Sequence, residues 1–174
     1  MKKLKLDART ISKIALLMAL DIILTRFVSI QTPIVRIGFG FLPTAMIGML
    51  FGPWAAGIAG ALTDIAGIFL FGGSGPFFPG FTLSAFLGGF IYGVFLHNKP
   101  KSLWRISLAV LVITIFVNLG LNTLWVYILT EEAAIAILPA RLIQNAILAP
   151  IRVAVIYFVA NNPTIRKAMQ LKDK

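Results

Sequence analysis

Apolar residues dominate this chain in long runs that are separated by short segments rich in Gly, Pro or charge. A helix needs about 20 such residues to cross the hydrocarbon core of a membrane. The second run is short and contains Pro43 and Gly48, so we expect that helix to be tilted or broken. The pattern predicts an all-α membrane protein, a single bundle of six transmembrane helices at about residues 10–28, 39–51, 54–71, 80–96, 105–129 and 138–160.

The composition supports lipid as the main solvent of the chain. Of the 174 residues, 59% are hydrophobic and only 13% are charged, and the mean hydropathy is +0.92. That leaves too little polar surface to cover a water-soluble globule. Six spans leave about 50 residues for tails and connections, so we expect one domain over residues 1–174.

The net charge of +10 is distributed as a topology signal rather than as a nucleic-acid surface. Of the 16 Lys and Arg residues, 12 lie on one side, in the two tails and between the fourth and fifth runs. The positive-inside rule makes that side, and therefore both termini, cytoplasmic. The exceptions are Arg26, Arg36, Arg141 and Arg152.

Charged residues at membrane depth are costly, so each of them is a candidate for a ligand site, a pathway or an ion pair. Arg26 and Arg36 bracket the first outer connection, Asp64 lies in the third span, and Arg141 lies in the sixth. Alternative explanations remain for each: Arg26 and Arg141 could reach the headgroups, and Asp64 could form a structural ion pair. For Asn118 we favour interhelical hydrogen bonding.

Helical spacing groups several polar residues on two faces. Steps of three and four residues put one set on a face of span five and another on a face of span six. Turned inward together, the two faces would form a polar pocket with an aromatic wall, suited to an anionic aromatic solute. These sets are Asn118, Asn122 and Trp125 in span five, and Arg141, Asn145, Leu148 and Arg152, with Gln144 beside them, in span six.

Small residues also recur at helical spacing. Ala15 and Ala19 form a small-xxx-small pattern that lets another helix approach closely. Gly57, Gly60 and Gly67 share a stripe of span three with Asp64, and we interpret these glycines as internal packing positions.

Residues typical of catalysis or of metal and nucleotide binding are scarce. The sequence has no cysteine, His97 has no carboxylate or second histidine near it, and no phosphate-binding loop or serine nucleophile motif occurs. We therefore expect no enzyme activity, no metal and no cofactor. Any nucleotide that powers transport would bind to another chain.

Three segments resemble the folate-specific substrate-binding subunit of energy-coupling factor vitamin transporters. They are TPIVRIGFGFLPTAMIGMLFGP (32–53), DIAG (64–67) and GPFFPGFTLSAFLGGFIYG (75–93), and the Ala15/Ala19 pair matches as well. The resemblance implies a six-helix subunit in the cell membrane that binds folate or reduced folates near the outer face. It also implies assembly, through Ala15 and Ala19, with a transmembrane coupling subunit and two cytoplasmic ATPases, and transport by toppling of the loaded subunit.

Folate combines two carboxylates with a flat pterin that carries hydrogen-bond donors and acceptors. Arginines suit the carboxylates, polar side chains suit the pterin or amide, and aromatic rings suit stacking or gating. The candidates are Arg26, Arg36 and Arg141 for the carboxylates; Asp64, Asn122, Gln144 and Asn145 for the pterin or amide; and Phe39, Phe77, Phe78, Phe81 and Trp125 for stacking.

Two other functions remain open at this point. The same fold could bind another vitamin, such as pantothenate or riboflavin. Alternatively, the chain could be a small secondary transporter that uses Asp21 or Asp64 as a proton carrier.

Overall fold

The structure is a computed structural model that describes residues 7–31, 36–72, 77–130 and 133–163. Seven α-helices, one π-helical segment and two short strands make up the described part of the chain. In order these are α1 (Ala8–Arg26), β1 (Ile30–Gln31), β2 (Arg36–Ile37), α2 (Phe41–Phe51), α3 (Pro53–Phe71), α4 (Pro79–Leu96), α5 (Leu103–Val112), the π segment (Ile113–Leu121), α6 (Asn122–Thr130) and α7 (Ala133–Asn161).

Four of the predicted spans are confirmed as helices long and apolar enough to cross a membrane. They are Pro53–Phe71, Pro79–Leu96, Leu103–Leu129 and Leu138–Asn161. The regions predicted for the first two spans are helical as well, but they do not meet the same standard. Helix α1 carries four charged residues in its 19, and α2 has 11 residues, which at about 1.5 Å per residue gives some 16 Å.

The all-α prediction is confirmed apart from one small antiparallel pair. Strands β1 and β2 are two residues each, with Ile30 opposite Ile37 and Gln31 opposite Arg36. They lie between α1 and α2, where the sequence predicts only a connection. The pairing satisfies backbone groups near the end of α1.

A single glycine separates α2 from α3. Gly52 has a φ of 91°, in the left-handed region that favours glycine, and its N–H donates to the carbonyl of Gly48 to close α2. Pro53 then begins α3, where its missing N–H costs no hydrogen bond. The predicted interruption of the second span is thus a sharp turn after α2, and Pro43 lies within an unbroken helix.

Two apolar cores hold the helices together. The larger core joins α2, α4, α5 and α7 through fully buried side chains such as Leu96, Ile106 and Ile156. The smaller core joins α1, α2 and α3 around Ile47, Ala56 and Ala59. Helix α2 contributes to both cores, which explains why so short a helix has so many buried residues.

Helices α3 and α4 approach each other closely because small residues line their contact. A Cβ on Gly89 would collide with the carbonyl oxygen of Ala56, and one on Gly60 would lie 2.7 Å from the carbonyl oxygen of Ala85. Gly57 similarly makes room for the ring of Phe86. The predicted packing role is confirmed for Gly57 and Gly60, whereas Gly67 lies next to the side chain of Arg26.

Two adjacent glycines of α4 provide a matched test of this packing. We expect Gly89→Ala to destabilise the bundle by about 1–3 kcal/mol, because the methyl group forces the α3 backbone away. Gly88→Ala should cost nothing, since a Cβ there meets no atom within 4 Å. Thermal unfolding in detergent measures both, and equal melting temperatures for the two variants would contradict the packing interpretation.

The π segment interrupts the fifth span near its middle. It runs from Ile113 to Leu121 between α5 and α6, with Thr114 and Val117 buried. A π turn closes an i→i+5 hydrogen bond and so holds one more residue than an α turn. The angular relation between Asn118 and Asn122 therefore differs from the one that α-helical spacing predicts.

Candidate functional site

A cavity of about 310 Å³ lies among α1, the start of α2, α3, α4, the π segment and α7. A volume of this order is within the usual range for small-molecule sites. The lining contains several polar and charged side chains. The lining residues are Asp21, Ile22, Thr25, Arg26, Gly38, Gly40, Phe41, Thr44, Gly60, Thr63, Asp64, Gly67, Ala85, Asn118 and Arg152.

Asp21 forms the α1 side of the cavity and links α1 to α2. Its side chain is 7% exposed. The Thr25 hydroxyl donates to Oδ1 at 3.0 Å, and the Thr44 hydroxyl donates to Oδ2 at 2.7 Å. These bonds fix the carboxylate at the cavity wall and compensate part of the cost of its burial.

Asp64 presents a second carboxylate from α3. Its Oδ2 accepts a hydrogen bond of 2.8 Å from the Thr82 hydroxyl of α4, so the side chain is oriented across the α3–α4 contact. Asp64 is only partly buried, and it lines the cavity. The carboxylate can therefore accept hydrogen bonds from a ligand in the cavity.

Arg26 closes one end of the cavity. It is the last residue of α1, and its Nη1 donates to the carbonyl oxygen of Gly72, just beyond α3, at 2.6 Å. Gly67 makes this position possible, because a Cβ there would lie 3.0 Å from Nη2 of Arg26. The guanidinium therefore lies over the end of α3, next to the cavity, with donors left for a ligand.

Arg152 approaches the cavity from α7. Its Cζ lies 5.7 Å from the centre of the Phe41 ring, a cation–π arrangement. The Nε atom is buried and has no hydrogen-bond partner among the described residues. A guanidinium in this position is costly inside a membrane unless it meets an acceptor or an anion.

Of the predicted site residues whose side chains the structure describes, Arg26 and Asp64 alone line the cavity. The side chain of Arg36 lies outside the described residues, although its backbone forms part of β2. Gln144 is partly buried on α7. The remaining candidates form two groups next to the cavity rather than in its lining.

The first of these groups is aromatic. The rings of Phe78, Phe81 and Trp125 pack together, with centroid distances of 6.1 Å and 5.7 Å from Phe78. The Trp125 Nε1–H donates to the Ser84 hydroxyl at 3.0 Å, which fixes this cluster one residue from cavity-lining Ala85. Phe39 and Phe77 are more exposed, at 38% and 46%, and contact Phe41 and Phe69 respectively.

The second group is polar and lies between α6 and α7. Nη1 of Arg141 donates to the Thr123 hydroxyl at 3.4 Å, and the Asn145 amide donates to the Arg141 carbonyl at 2.9 Å. Buried Asn122 Oδ1 and Arg141 Nε have no hydrogen-bond partner in the described part of the chain. Arg141 of the predicted face on α7 therefore contacts α6 through Thr123, and this contact is separate from the cavity lining.

Three lining residues, Asp21, Asn118 and Arg152, are not among the ligand candidates predicted from the sequence. The sequence offers Asp21 as a proton carrier, Asn118 as an interhelical hydrogen-bond partner and Arg152 as a member of a polar face. Their signal was depth: each is a polar or charged residue well inside an apolar run. Thr25, Thr44 and Thr63 gave no such signal, because single threonines are common in apolar helices.

The cavity lining contains both hydrogen-bond acceptors and hydrogen-bond donors. The carboxylates of Asp21 and Asp64 accept hydrogen bonds, and the guanidiniums of Arg26 and Arg152 donate them. A ligand that matches this lining carries both N–H donors and anionic or carbonyl acceptors. A simple hydrocarbon or a simple inorganic cation would satisfy only part of it.

Comparisons with known proteins agree on the relationship of this chain. A family described as "ECF transporter, substrate-specific component" matches residues 9–160. "Folate transporter FolT" of Clostridium novyi (strain NT) is 54% identical over 143 residues, covering 82% of this chain and 83% of that protein. "Folate transporter FolT" of Leuconostoc mesenteroides is 34% identical over 168 residues, covering 92% and 89%.

A solved structure is similar along almost the whole chain. It is a crystal structure of FolT bound with folic acid, with a TM-score of 0.84 and 38% sequence identity. The match covers 89% of this chain and 96% of that one.

Proposed function

The chain belongs to the family of substrate-specific components of ECF transporters, and from this premise we propose that it is the high-affinity folate-binding subunit of an ATP-driven vitamin importer. The family consists of multi-pass membrane transport proteins, not enzymes. The observation that carries the proposal is the cavity, where two carboxylates and two guanidiniums line one space in a chain 38% identical to a FolT crystallised with folic acid.

The chemistry of folate fits this lining in several respects. Its pterin offers N–H donors for the carboxylates of Asp21 and Asp64, and its glutamate offers two carboxylates for guanidinium groups. The aromatic cluster of Phe78, Phe81 and Trp125 would flank the flat part of the ligand. Pantothenate has no aromatic ring and riboflavin has no carboxylate, so each would leave part of this lining unused.

The proposed topology has six spans in one domain over residues 1–174, with both termini cytoplasmic. Helices α1 and α2 would complete the four longer spans. Short α2 is compatible with this arrangement because its backbone is surrounded by other helices, as its many buried residues indicate. Arg26, at the end of α1, then lies toward the outer side, where folate would enter.

The proposed partners are a transmembrane coupling subunit and two cytoplasmic ATPases. The face of α1 that carries Ala15 and Ala19 is exposed, while Asp21 on another face of the same helix is buried. This division suits a helix that binds ligand on one side and a partner on the other. Transport would occur by toppling of the loaded subunit in the membrane.

Calorimetry on the purified chain in detergent or nanodiscs tests the ligand directly. We expect tight, saturable binding of folic acid with one site per chain, and no heat from pantothenate or riboflavin. Binding of either of those vitamins in place of folic acid would overturn the assignment. Solute uptake on a pH gradient by liposomes that hold this chain alone would instead favour a secondary transporter.

Arg26→Ala is expected to weaken folic acid binding by about 10- to 100-fold, because the variant removes charge-assisted hydrogen bonds to the glutamate. Pteroic acid, which lacks the glutamate, should lose much less affinity. Titration calorimetry with both ligands measures the difference. Arg9→Ala is the matched control on the same helix, at an exposed position outside the cavity lining; an equal loss for both ligands would place Arg26 elsewhere on folate.

A further inference from the structure

Three cavity-lining side chains each have a buried polar atom without a hydrogen-bond partner among the described residues. The atoms are Oγ1 of Thr63, Nδ2 of Asn118 and Nε of Arg152. Such atoms are rare in native proteins, because a buried polar group without a partner loses its hydration and gains nothing in return. Three of them around one cavity indicate that something in the cavity completes their bonds.

These atoms share one chemical property. The amide Nδ2 and the guanidinium Nε only donate hydrogen bonds, and the threonine hydroxyl can donate as well. They come from three separate elements, α3, the π segment and α7, that meet only in the folded bundle. The group that satisfies them must therefore present acceptor atoms, such as carbonyl oxygens or ring nitrogens.

The position of these donors distinguishes them from Arg26. Arg26 ends α1, whereas Asn118 lies midway along the helical stretch Leu103–Leu129. The cavity thus extends from a helix end to the middle of a span. A glutamate with two carboxylates has by far the larger desolvation cost, so it belongs at the helix end beside Arg26. The aromatic half of the ligand then reaches the buried donors.

The π segment contributes to this arrangement. It presents Asn118 to the cavity, whereas Thr114, one turn earlier, is buried outside the cavity lining. Arg152 is held from the other side by its contact with the face of the Phe41 ring. A guanidinium has five N–H donors, so donors of Arg152 remain available to a ligand.

Building on the folate assignment above, we propose that Thr63, Asn118 and Arg152 form a donor set that binds acceptor atoms of the pteroyl half of folate. They are specificity-determining residues that read the heterocycle or its amide, and Arg26 reads the glutamate. Asp21 and Asp64 are the hydrogen-bond acceptors for the N–H groups of the pteroyl half.

Two threonines provide a matched test. Thr63 and Thr114 are both 8% exposed, and both have a buried Oγ1 without a partner in the described part of the chain, but only Thr63 lines the cavity. Valine replaces either with nearly the same shape. We expect Thr63→Val to weaken folic acid binding by about 3- to 10-fold and Thr114→Val to leave it unchanged. Equal affinity of the two variants would overturn the proposal.

A comparison of folic acid with pteroic acid tests which half of folate each donor binds. Arg152→Met and Asn118→Leu should weaken folic acid and pteroic acid by the same factor, about 10- to 100-fold for the charged residue. Arg105→Met, outside the cavity lining, is the control. Circular dichroism and a monodisperse elution profile establish that each variant is folded. If Arg152→Met or Asn118→Leu does not fold, the comparison of Thr63→Val with Thr114→Val still tests the proposal.

Each outcome of these titrations has a distinct meaning. If Arg152→Met weakens folic acid much more than pteroic acid, the residue binds glutamate and the proposed donor set is wrong. If the wild-type chain binds folic acid but Thr63→Val binds it equally well, the donor set fails and the folate assignment stands. Absence of folic acid binding to the wild-type chain would overturn both.

Discussion

Asp64→Asn is expected to weaken folic acid binding by more than about 100-fold, because the proposed acceptor of ligand N–H bonds changes from a carboxylate to an amide that can accept at only one atom. The amide also directs its own N–H groups at ligand donors, which adds repulsion to the lost attraction. The shape of the side chain is retained, so the variant should fold. Calorimetry or quenching of intrinsic tryptophan fluorescence by folic acid measures the affinity.

Two further variants separate the ligand contact from its support. Thr82→Val removes the 2.8 Å bond that orients Asp64 and should weaken folic acid binding by only about threefold to tenfold. Asp7→Asn changes an exposed residue that caps α1, and asparagine caps equally well, so folic acid affinity should not change. Wild-type affinity of Asp64→Asn would remove the α3 carboxylate from the proposed site.

Ala15→Trp is expected to abolish assembly with the proposed coupling subunit and ATPases while folic acid binding remains. Ala15 is exposed on α1, and a tryptophan there would hold a partner helix away from the close approach that small residues permit. Ala19→Trp, one turn further along the same face, should act in the same way. Co-purification of the tagged chain with its coexpressed partners measures assembly, and calorimetry measures ligand binding.

The matched control lies beside the alanine pair. Leu16 is 72% exposed on a neighbouring face of α1, and Leu16→Trp exchanges one large apolar side chain for another at this exposed position. It should leave assembly intact. Loss of folic acid binding together with assembly in Ala15→Trp would instead indicate that this face packs inside the subunit.

The positions of most helices followed from the sequence because lipid imposes a simple rule. A spanning backbone must satisfy its own polar groups, so long apolar runs become helices and their ends lie at Gly, Pro or charged residues. Pro53 and Pro79, for example, begin α3 and α4 within a residue of the predicted starts. The glycine stripe of α3 was likewise readable, since close helix contact in lipid depends on small residues.

The α1–α2 region was less predictable. The β1–β2 pair is short and depends on the way the chain returns from α1 to α2, for which hydrophobic periodicity has no signal. The brevity of α2 has a similar cause: Gly52 turns the chain, and the residues before it are buried by neighbours on two sides.

In the candidate site, too, some residues were predictable from the sequence and others depended on tertiary packing. Arg26 and Asp64 were selected from the sequence because charge inside or next to an apolar run needs an explanation. Alpha-helical spacing puts Asn118, Asn122 and Trp125 on one face, but a π segment intervenes between Asn118 and Asn122. Asn118 lines the cavity, whereas Asn122 and Trp125 do not. A π insertion depends on packing against neighbouring helices, which the local sequence does not specify.

The sequence by itself therefore determined the solvent of this protein, the approximate bounds of its helices and its family, because each depends on hydrophobicity or on motifs that are local in the chain. Only the tertiary structure decided which polar residues share a space. Asp21, Thr63 and Arg152 come from α1, α3 and α7, and they meet in one cavity through helix packing over distances in sequence that no local pattern encodes.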